Sequence, residues 1–462
     1  MKRSCVFLAL LVAAGMVMAS SAAFAQGYSV YEQSACTTGR GGAAVASPCQ
    51  DGSAIYFNPA GLSFDAANLG LGASLIGPRG DFTDNTTRTV TALNEKWYPV
   101  PNIYFSMPLA NRVAFGVGVF APYGLTTDWP ETSPGRFLGY KSVVQGVYVQ
   151  PTVAFKLNDK VSIGAGVDIT YLNVELNQRA DLASQTLSGP YTFAQLHLLC
   201  PVPNACGRVD PGTEFADIQL KGHAYSAGVH LGVLAKAHER ISLGARWMQG
   251  QRVDIDNATI TTKQISVPNV RVPVAGVGLV PVDTLMQQRA FGQGQRLFSG
   301  QSGASSIPLP DQVLLGIAVQ AAANLKFLVD YEYTRWSMFD VLPIEGEFLK
   351  ETIVESYQDT HGVRIGTEIN LSKNAVLRAG FDGHGAAAPP QTVTPNLPEA
   401  ARQEYTVGLG FNLSPRVRLD LGYMYLRQEE RAGRVRQGGV DANSGVYKFK
   451  ANIPTVMLAF TF

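Results

Sequence analysis

Six histidines and five cysteines are the residues here whose chemistry reaches beyond packing. A nucleophile and its base would need Ser, His and Asp or Glu at one point, yet no G-x-S-x-G, H-E-x-x-H or phosphate-loop pattern occurs. His223 and His230 fall on a strand of strict alternation and read as wall residues, while His361 and His384 read as channel-lining. No catalytic residue is expected, so the chain does not read as an enzyme. Cys36, Cys49, Cys200 and Cys206 include no C-x-x-C, and no histidine lies at zinc spacing from them, so neither metal nor cofactor is expected. Four cysteines in an oxidising compartment allow three pairings, of which the local ones, Cys36–Cys49 and Cys200–Cys206, are expected.

Charge excludes another class of chemistry. A formal net charge of +1 gives no electrostatic case for nucleic acid. Only 16% of residues are charged, which suits a wall with one apolar face. The cluster Arg427, Arg431, Arg434 and Arg436 reads as a solvated loop that can meet anionic lipid headgroups, with a substrate site as the lesser reading. Two apolar stretches in long connections, Tyr191 to Leu199 and Val272 to Val282, read either as walls of a capture groove or as loops packed on each other.

The elements that must position these residues begin after an export signal. Lys2 and Arg3 precede an apolar run from Val6 to Met18, and Ala23-Phe24-Ala25 forms a cleavage site, so residues 1–25 read as a signal peptide. After Gln26 no apolar run is long enough for a spanning helix. Residues 26–64 are rich in Gly, Ala and Ser, hold two cysteines, and end in Ile55-Tyr56-Phe57-Asn58-Pro59-Ala60-Gly61-Leu62. Small residues allow close backbone approach and Asn-Pro sets a turn, so this segment reads as a plug with Asn58-Pro59-Ala60 toward the periplasmic end.

Residues 65–462 read as the wall. From Val161 to Tyr171 the odd positions are apolar and the even ones small or polar, and the segments 225–235 and 417–425 alternate likewise. Apolar-out and small-or-polar-in alternation over about ten residues marks a membrane strand. Strands are expected near 66–82, 98–108, 112–123, 143–157, 160–176, 219–236, 240–256, 310–322, 325–337, 358–371, 374–384, 402–413, 416–428 and 447–462. Short turns such as Leu157-Asn158-Asp159-Lys160 alternate with long connections near 83–97, 124–142, 177–218, 257–309, 339–357, 385–401 and 428–446. The fold class is all-β, a transmembrane antiparallel barrel of about fourteen strands with short periplasmic turns and long outer loops. Such a barrel leaves a channel unless something fills it.

In the third strand, Phe115-Gly116-Val117-Gly118-Val119-Phe120 runs into Ala121-Pro122-Tyr123-Gly124. Pro122 cannot donate to a ladder, and Gly116, Gly118 and Gly124 permit a bend. The stretch reads either as the strand's end at the outer rim or as a side gap toward lipid. Pro151 in the neighbouring strand also removes a donor.

These residues resemble the FadL-type family of long-chain fatty-acid and hydrocarbon transporters of the Gram-negative outer membrane. The resemblance is carried by Gln26-Gly27-Tyr28 with Glu32, by Gly39-Arg40 and Asn58-Pro59-Ala60, and by Tyr123-Gly124-Leu125-Thr126-Thr127-Asp128. Leu309-Pro310-Asp311 and the segment Tyr333 to Phe339 extend it over the mature chain. It implies a monomeric barrel with an N-terminal hatch, capture in an outer apolar groove, transfer to an inner pocket beside Tyr28, and exit through the kinked third strand. The family's basic groups for a substrate carboxylate would fall at Gln178 and Arg179 and at Lys350. Gln178 departs from that pattern, so neutral aromatic hydrocarbons stand beside long-chain fatty acids as substrates. The cysteine pairs are a second departure. An open porin for polar solutes, and a barrel enzyme or adhesin, are the remaining readings.

Overall fold

The computed structural model describes residues 27–188, 190–288, 300–346, 350–433 and 443–462. The signal segment, Gln26, Arg434 and Arg436 lie outside the described residues.

Fourteen antiparallel strands close into a barrel. They are β1 Asn68–Asp84, β2 Tyr98–Ala110, β3 Val113–Asp128, β4 Lys141–Lys156, β5 Val161–Asp181, β6 Glu214–His238, β11 Ala375–His384, β12 Arg402–Ser414, β13 Val417–Gln428 and β14 Gly445–Thr461. Between β6 and β11 stand four strands, each built of two segments. They are β7 (Ile241–Met248, Gln251–Gln264), β8 (Gln301–Leu309, Gln312–Ala322), β9 (Leu325–Thr334, Val341–Gly346) and β10 (Lys350–Val354, Thr360–Asn370). Strand β1 pairs with β14 from Asn68↔Thr461 to Asp84↔Gly445, which seals the wall and leaves no free edge at the seam. No helix among the described residues is long and apolar enough to cross a membrane.

The alternation read from the sequence becomes the two faces of the wall. Leu71, Phe105, Val153, Ile169, Val229 and Leu421 are exposed outward, and Tyr331, Tyr405 and Tyr423 stand outward among them. Apolar side chains facing lipid with tyrosines at the interface are what a bilayer selects. Inward positions are glycines or polar groups such as Ser162, Asp168, Thr170 and Gln150. Strands β5 and β6, with 21 and 25 residues, exceed the roughly ten residues a bilayer needs, so their outer halves rise above it. Sequence periodicity ends β5 five residues early and starts β6 five residues late, because the raised halves face water outside and packed loops inside.

Nearly every residue from Gly27 to Leu62 is buried within the ring of strands. The segment carries two short helices, α1 Ala35–Thr38 and α2 Ala54–Phe57, and a 3₁₀ turn Pro59–Phe64. Its small residues are dictated by proximity to the wall. A Cβ on Gly39 would stand 2.8 Å from the Cα of Gly408, and one on Gly41, at φ +66°, would stand 2.7 Å from the Phe381 backbone. Asn58 donates to Val45 O (2.7 Å) and Val233 O (3.0 Å), and Ser162 donates to Ala60 O (2.9 Å). Ser162 and Val233 flank the short turns joining β4 to β5 and β6 to β7, so Asn58-Pro59-Ala60 lies at that end of the barrel.

One connection corrects the sequence reading. Residues 385–401, expected as an outer loop, fold into the lumen. Ala387, Val393, Glu399 and Ala400 are at most 1% exposed. Trp129 Nε1 donates to Pro395 O (3.0 Å), Thr127 Oγ1 to Asn396 O (2.9 Å) and Asn443 Nδ2 to Val393 O (2.7 Å). The run Gly385-Ala386-Ala387-Ala388 is small for the same reason the hatch is small: it must fit inside.

Candidate functional site

Strand β3 pairs with β2 only as far as Ile103↔Val119. Beyond that point Tyr98–Asn102 of β2 pairs with β1 alone. On its other side β3 stays paired with β4 through Asp128↔Lys141, with a register shift between Phe120 and Tyr123. One extra residue there is a β-bulge, which bends the strand and re-aims it. The wall is therefore open between β2 and β3 above Val119. Pro99, Pro101 and Pro122 each remove an N–H from these facing segments, so fewer donors need partners there.

The hatch supplies partners for the exposed edge of β3. Val30 N donates to Pro122 O (2.8 Å) and Gly124 N to Tyr28 O (2.9 Å). Gln33 Nε2 donates to Ala121 O (2.8 Å), and Ala121 N donates to Gln33 Oε1 (3.3 Å). Ser29 thus bridges Tyr123 as a short added strand where β2 would have lain. Unpaired backbone groups at membrane depth cost several kcal/mol each, and this arrangement satisfies them without closing the wall.

Behind the gap lies a cavity of about 380 Å³. Val30, Ile76, Leu125, Val144, Leu426 and Ile453 give it an apolar lining, and Pro101 and Ala121 stand at its wall side. Its charged lining residues are Glu32, Arg402 and Lys450. Arg402 donates to Gly27 O (3.0 Å), while its buried Nε has no hydrogen-bond partner among the described residues. Glu32 of the hatch lines the same cavity, and burial pushes its carboxyl above the usual range.

The N-terminal end of the hatch rests in an aromatic cage. Tyr28 meets Trp336 at 4.7 Å, Phe339 at 5.9 Å and Tyr123 at 6.2 Å between ring centroids, with Tyr357 packed behind them. Burial raises the Tyr28 phenol well above its ordinary pKa, so it stays a donor, and it donates to Pro308 O. Gly27, at φ +55°, lies so close to Trp336 that a Cβ would stand 2.4 Å from the indole. Its N–H donates to Glu399 Oε1 (3.3 Å), and Glu399 also accepts from Ala387 N and Ala388 N.

The opposite side of the hatch is held by buried charge. Arg364 Nη2 meets Glu332 Oε2 at 2.6 Å and its Nε meets Asp382 Oδ2 at 3.1 Å. Its guanidinium stacks 3.9 Å from the Tyr31 ring centroid, and the Tyr31 hydroxyl donates to Glu332. Arg378 bridges Asp420 (2.7 Å) and Glu368 (2.9 Å), and Arg40 of the hatch reaches the same Glu368 carboxylate at 3.6 Å. Asp330 accepts from Ala44 N and Val45 N. Ligand atoms of Asp382, His384 and Glu404 converge within 4.8 Å, a grouping the sequence reading did not foresee when it assigned no metal. Asp382 is already engaged by Arg364 and by His384 Nε2 at 2.5 Å, so the group belongs to this ion-pair network.

The chain can now be set beside known proteins. The family model for outer membrane protein transport proteins (OMPP1/FadL/TodX) matches residues 16–462. This protein belongs to that family. It is 23% identical over 442 residues to the long-chain fatty acid transport protein of Escherichia coli O6:H1, covering 93% of each. It is 23% identical over 439 residues to outer membrane protein P1 of Haemophilus influenzae, covering 90% of this chain and 89% of that protein. Among solved structures, a Pseudomonas aeruginosa FadL homologue superposes with a TM-score of 0.77 at 18% identity, over 95% of this chain and all of that one. The Pseudomonas putida toluene transporter TodX superposes at 0.67 and 18% identity, over the same shares. The protein is an outer-membrane transporter of hydrophobic compounds, and its family consists of transporters and channels rather than enzymes.

Within this FadL-type frame the sequence-derived site residues sort into three groups. Pro122, Tyr123 and Gly124 lie at the gap and Tyr28 at the cage beside it. Gly116 and Gly118 do not: both sit in regular ladders to β2 and β4, and their missing side chains make room for Ile55 and Tyr104. Pro151 likewise leaves the register of β4 on β5 unchanged. The expected carboxylate partners are not brought together. Arg179 is engaged by Glu131, Glu214 and Asp217 and lies over the Tyr140 ring. Gln178 borders a separate crevice of about 20 Å³, and Lys350 is exposed. His361 points outward, bonded to the Tyr331 hydroxyl at 2.6 Å, and does not line the channel. The sulfurs of Cys36 and Cys49 are bonded, with Cα atoms 6.4 Å apart, as are those of Cys200 and Cys206 at 5.8 Å. In the stretches Phe193–Leu198 and Arg271–Pro281, Phe193, Leu196 and Val272 are buried in the core, whereas Leu198 and Val277 stay exposed.

Sequence reasoning missed Arg402 and the prolines of β2. A signal for both was present: two prolines two residues apart in an otherwise regular strand, and an arginine at the first inward position of a strand, two residues before Glu404.

Proposed function

We propose that the protein carries long-chain fatty acids across the outer membrane, with exit sideways through the gap between β2 and β3. The observation that carries this reading is the pairing of β3 with the hatch in place of β2. An apolar chain in the cavity gains nothing by entering water, at about 25 cal/mol per Å² of apolar surface exposed. A lateral path keeps it in apolar surroundings, and only residues 28–33 stand across it. Arg402 is the group proposed to meet the carboxylate, since it lines the cavity and its Nε has no hydrogen-bond partner among the described residues.

Uptake and binding of oleate and toluene, measured side by side, test this reading. R402A is expected to weaken oleate binding by about tenfold, near 1.4 kcal/mol, and to leave toluene unchanged, with R402K in between. Equal loss of both would show a structural role for Arg402. No loss of either would favour neutral aromatic hydrocarbons, a reading supported by the saturation of Arg179, the exposure of Lys350, and the presence of Glu32 beside Arg402.

A further inference from the structure

Three neighbouring strands carry a row of cations on the outer face of the wall. Lipid-facing positions climb β13 as Leu421, Tyr423 and Tyr425, descend β14 in reverse as Asn452, Pro454 and Val456, and climb β1 as Leu71 and Leu75. One step beyond the tyrosines come Arg427, Lys450 and Arg79. Register places Arg427 opposite Lys450 and Lys450 opposite Arg79. All three are exposed. Like charges directly opposite across a sheet repel. Adjacent strands lie about 4.8 Å apart, so extended side chains do not escape one another by much.

The charges are sorted by depth. In the row above, Lys448 stands opposite Asp81 and meets Glu430 at 2.7 Å. Arg79 leans up to Glu95 at 3.4 Å, through a pair in which both side chains are more than half exposed. Arg427 and Lys450 have no carboxylate within 4 Å among the described residues. The membrane-proximal row is thus cationic and incompletely neutralised, and a depression of about 490 Å³ opens against it, bordered by Arg79, Arg427, Lys448 and Lys450 and, on its upper side, by Asp81, Glu95 and Glu430.

We propose that this row is a binding site for the phosphate groups of an outer-leaflet glycolipid, whose acyl chains descend over Leu421, Tyr423, Val456 and Leu71. Three facts select that occupant. The row needs an anion with several acceptors to bridge three strands. It sits at the level where headgroups begin, directly above an aromatic girdle. And beneath it the wall is apolar apart from Asn452, whose Oδ1 accepts from the Tyr423 hydroxyl, as a lipid with chains requires and a free anion does not. The site bridges the seam strands β14 and β1 as well as β13, so the lipid also ties the first strand to the last. It lies on the outer face of the wall, and Lys450 also borders the cavity of the proposed transport route.

The test uses the full mature protein in nanodiscs or detergent, with native mass spectrometry to count retained lipid. Probes are a bis-phosphorylated lipid A, the same lipid stripped of phosphate, sodium pyrophosphate and palmitate. R427Q/K450Q is expected to retain the bis-phosphorylated lipid roughly thirtyfold less well than wild type, two surface charges' worth. Removing the phosphates is expected to cost wild type a comparable factor. K373Q, in a short turn at the other end of the barrel, is expected to change nothing, and unchanged heat-dependent gel mobility reports that the variants remain folded. Equal retention by R427Q/K450Q and wild type would overturn the proposal. So would pyrophosphate binding as tightly as the lipid, which marks an anion site only, or displacement by palmitate as effective as by phosphorylated lipid, which marks a substrate site.

Discussion

The two sides of the hatch are held by different physics. Toward β9–β13 it is fastened by Arg40, Tyr31 and the amides of Ala44 and Val45 to a buried network of Asp330, Glu332, Arg364, Glu368, Arg378, Asp382 and Asp420. Toward β3 it is held by a few backbone bonds, one glutamine side chain and ring contacts around Tyr28. Breaking one partner of a buried ion pair leaves an uncompensated charge and costs about 3–5 kcal/mol, whereas a single backbone bond contributes about 1 kcal/mol net. The difference shows where motion costs least: residues 27–30 can leave β3 while Tyr31, held by Glu332 and Arg364, and the rest of the hatch stay seated.

The largest expected effect breaks the charged side. R364A should lower unfolding stability by about 3–5 kcal/mol, because Glu332 and Asp382 lose their shared cation. R364K should recover only part of this, since an ammonium cannot span both carboxylates as the guanidinium does. Denaturant unfolding in detergent measures both, and a loss below about 1 kcal/mol for R364A would place the anchor elsewhere.

A smaller effect loosens the gate side. G27A puts a methyl into the Trp336 ring and a side chain at φ +55°, so it should free residues 27–30 at a local cost of about 1–3 kcal/mol. Protease access to this segment should rise while the barrel's melting temperature holds. Coupled loss of both would mean that the two sides move as one body.

The smallest effect concerns pH. Burial raises the Glu399 carboxyl above its ordinary value, against the pull of its bonds from Ala388, Ala387 and Gly27 and the charge of Arg402. The folded state therefore keeps a proton that the unfolded chain releases, and stability declines as pH climbs from the ordinary glutamate value through the raised one. E399Q should flatten that slope, as read from amide exchange at Gly27 and Ala387 across the pH series. An unchanged slope would remove Glu399 from the latch.

Much of this was legible in the sequence, and the limits have physical causes. Period-2 alternation located all fourteen strands because lipid imposes one face on each of them. The hatch was legible because close approach to a wall demands Gly, Ala and Ser. The ion network was not, since Glu332, Arg364, Asp382 and Glu404 are single inward positions on successive strands, and only register brings them together. Loop 385–401 shares the hatch's small-residue composition, but without the flanking signal its Pro and Gly residues read as an outer connection. Gly116 and Gly118 were read as bend points when their real constraint is the Ile55 side chain across the lumen.

The central claim is that substrate leaves between β2 and β3. Pro101 and Ala121 both border the cavity, and the interrupted β2–β3 register, extended by two pairs, would set them opposite each other. The direct measurement is oleate uptake by P101C/A121C before and after stapling with a bifunctional thiol reagent, with each single variant treated alike. Stapling should abolish uptake by the double variant, reagent cleavage should restore it, and binding to the cavity from outside should persist throughout. Undiminished uptake through the stapled wall would contradict the account and send the substrate straight down the lumen past the hatch.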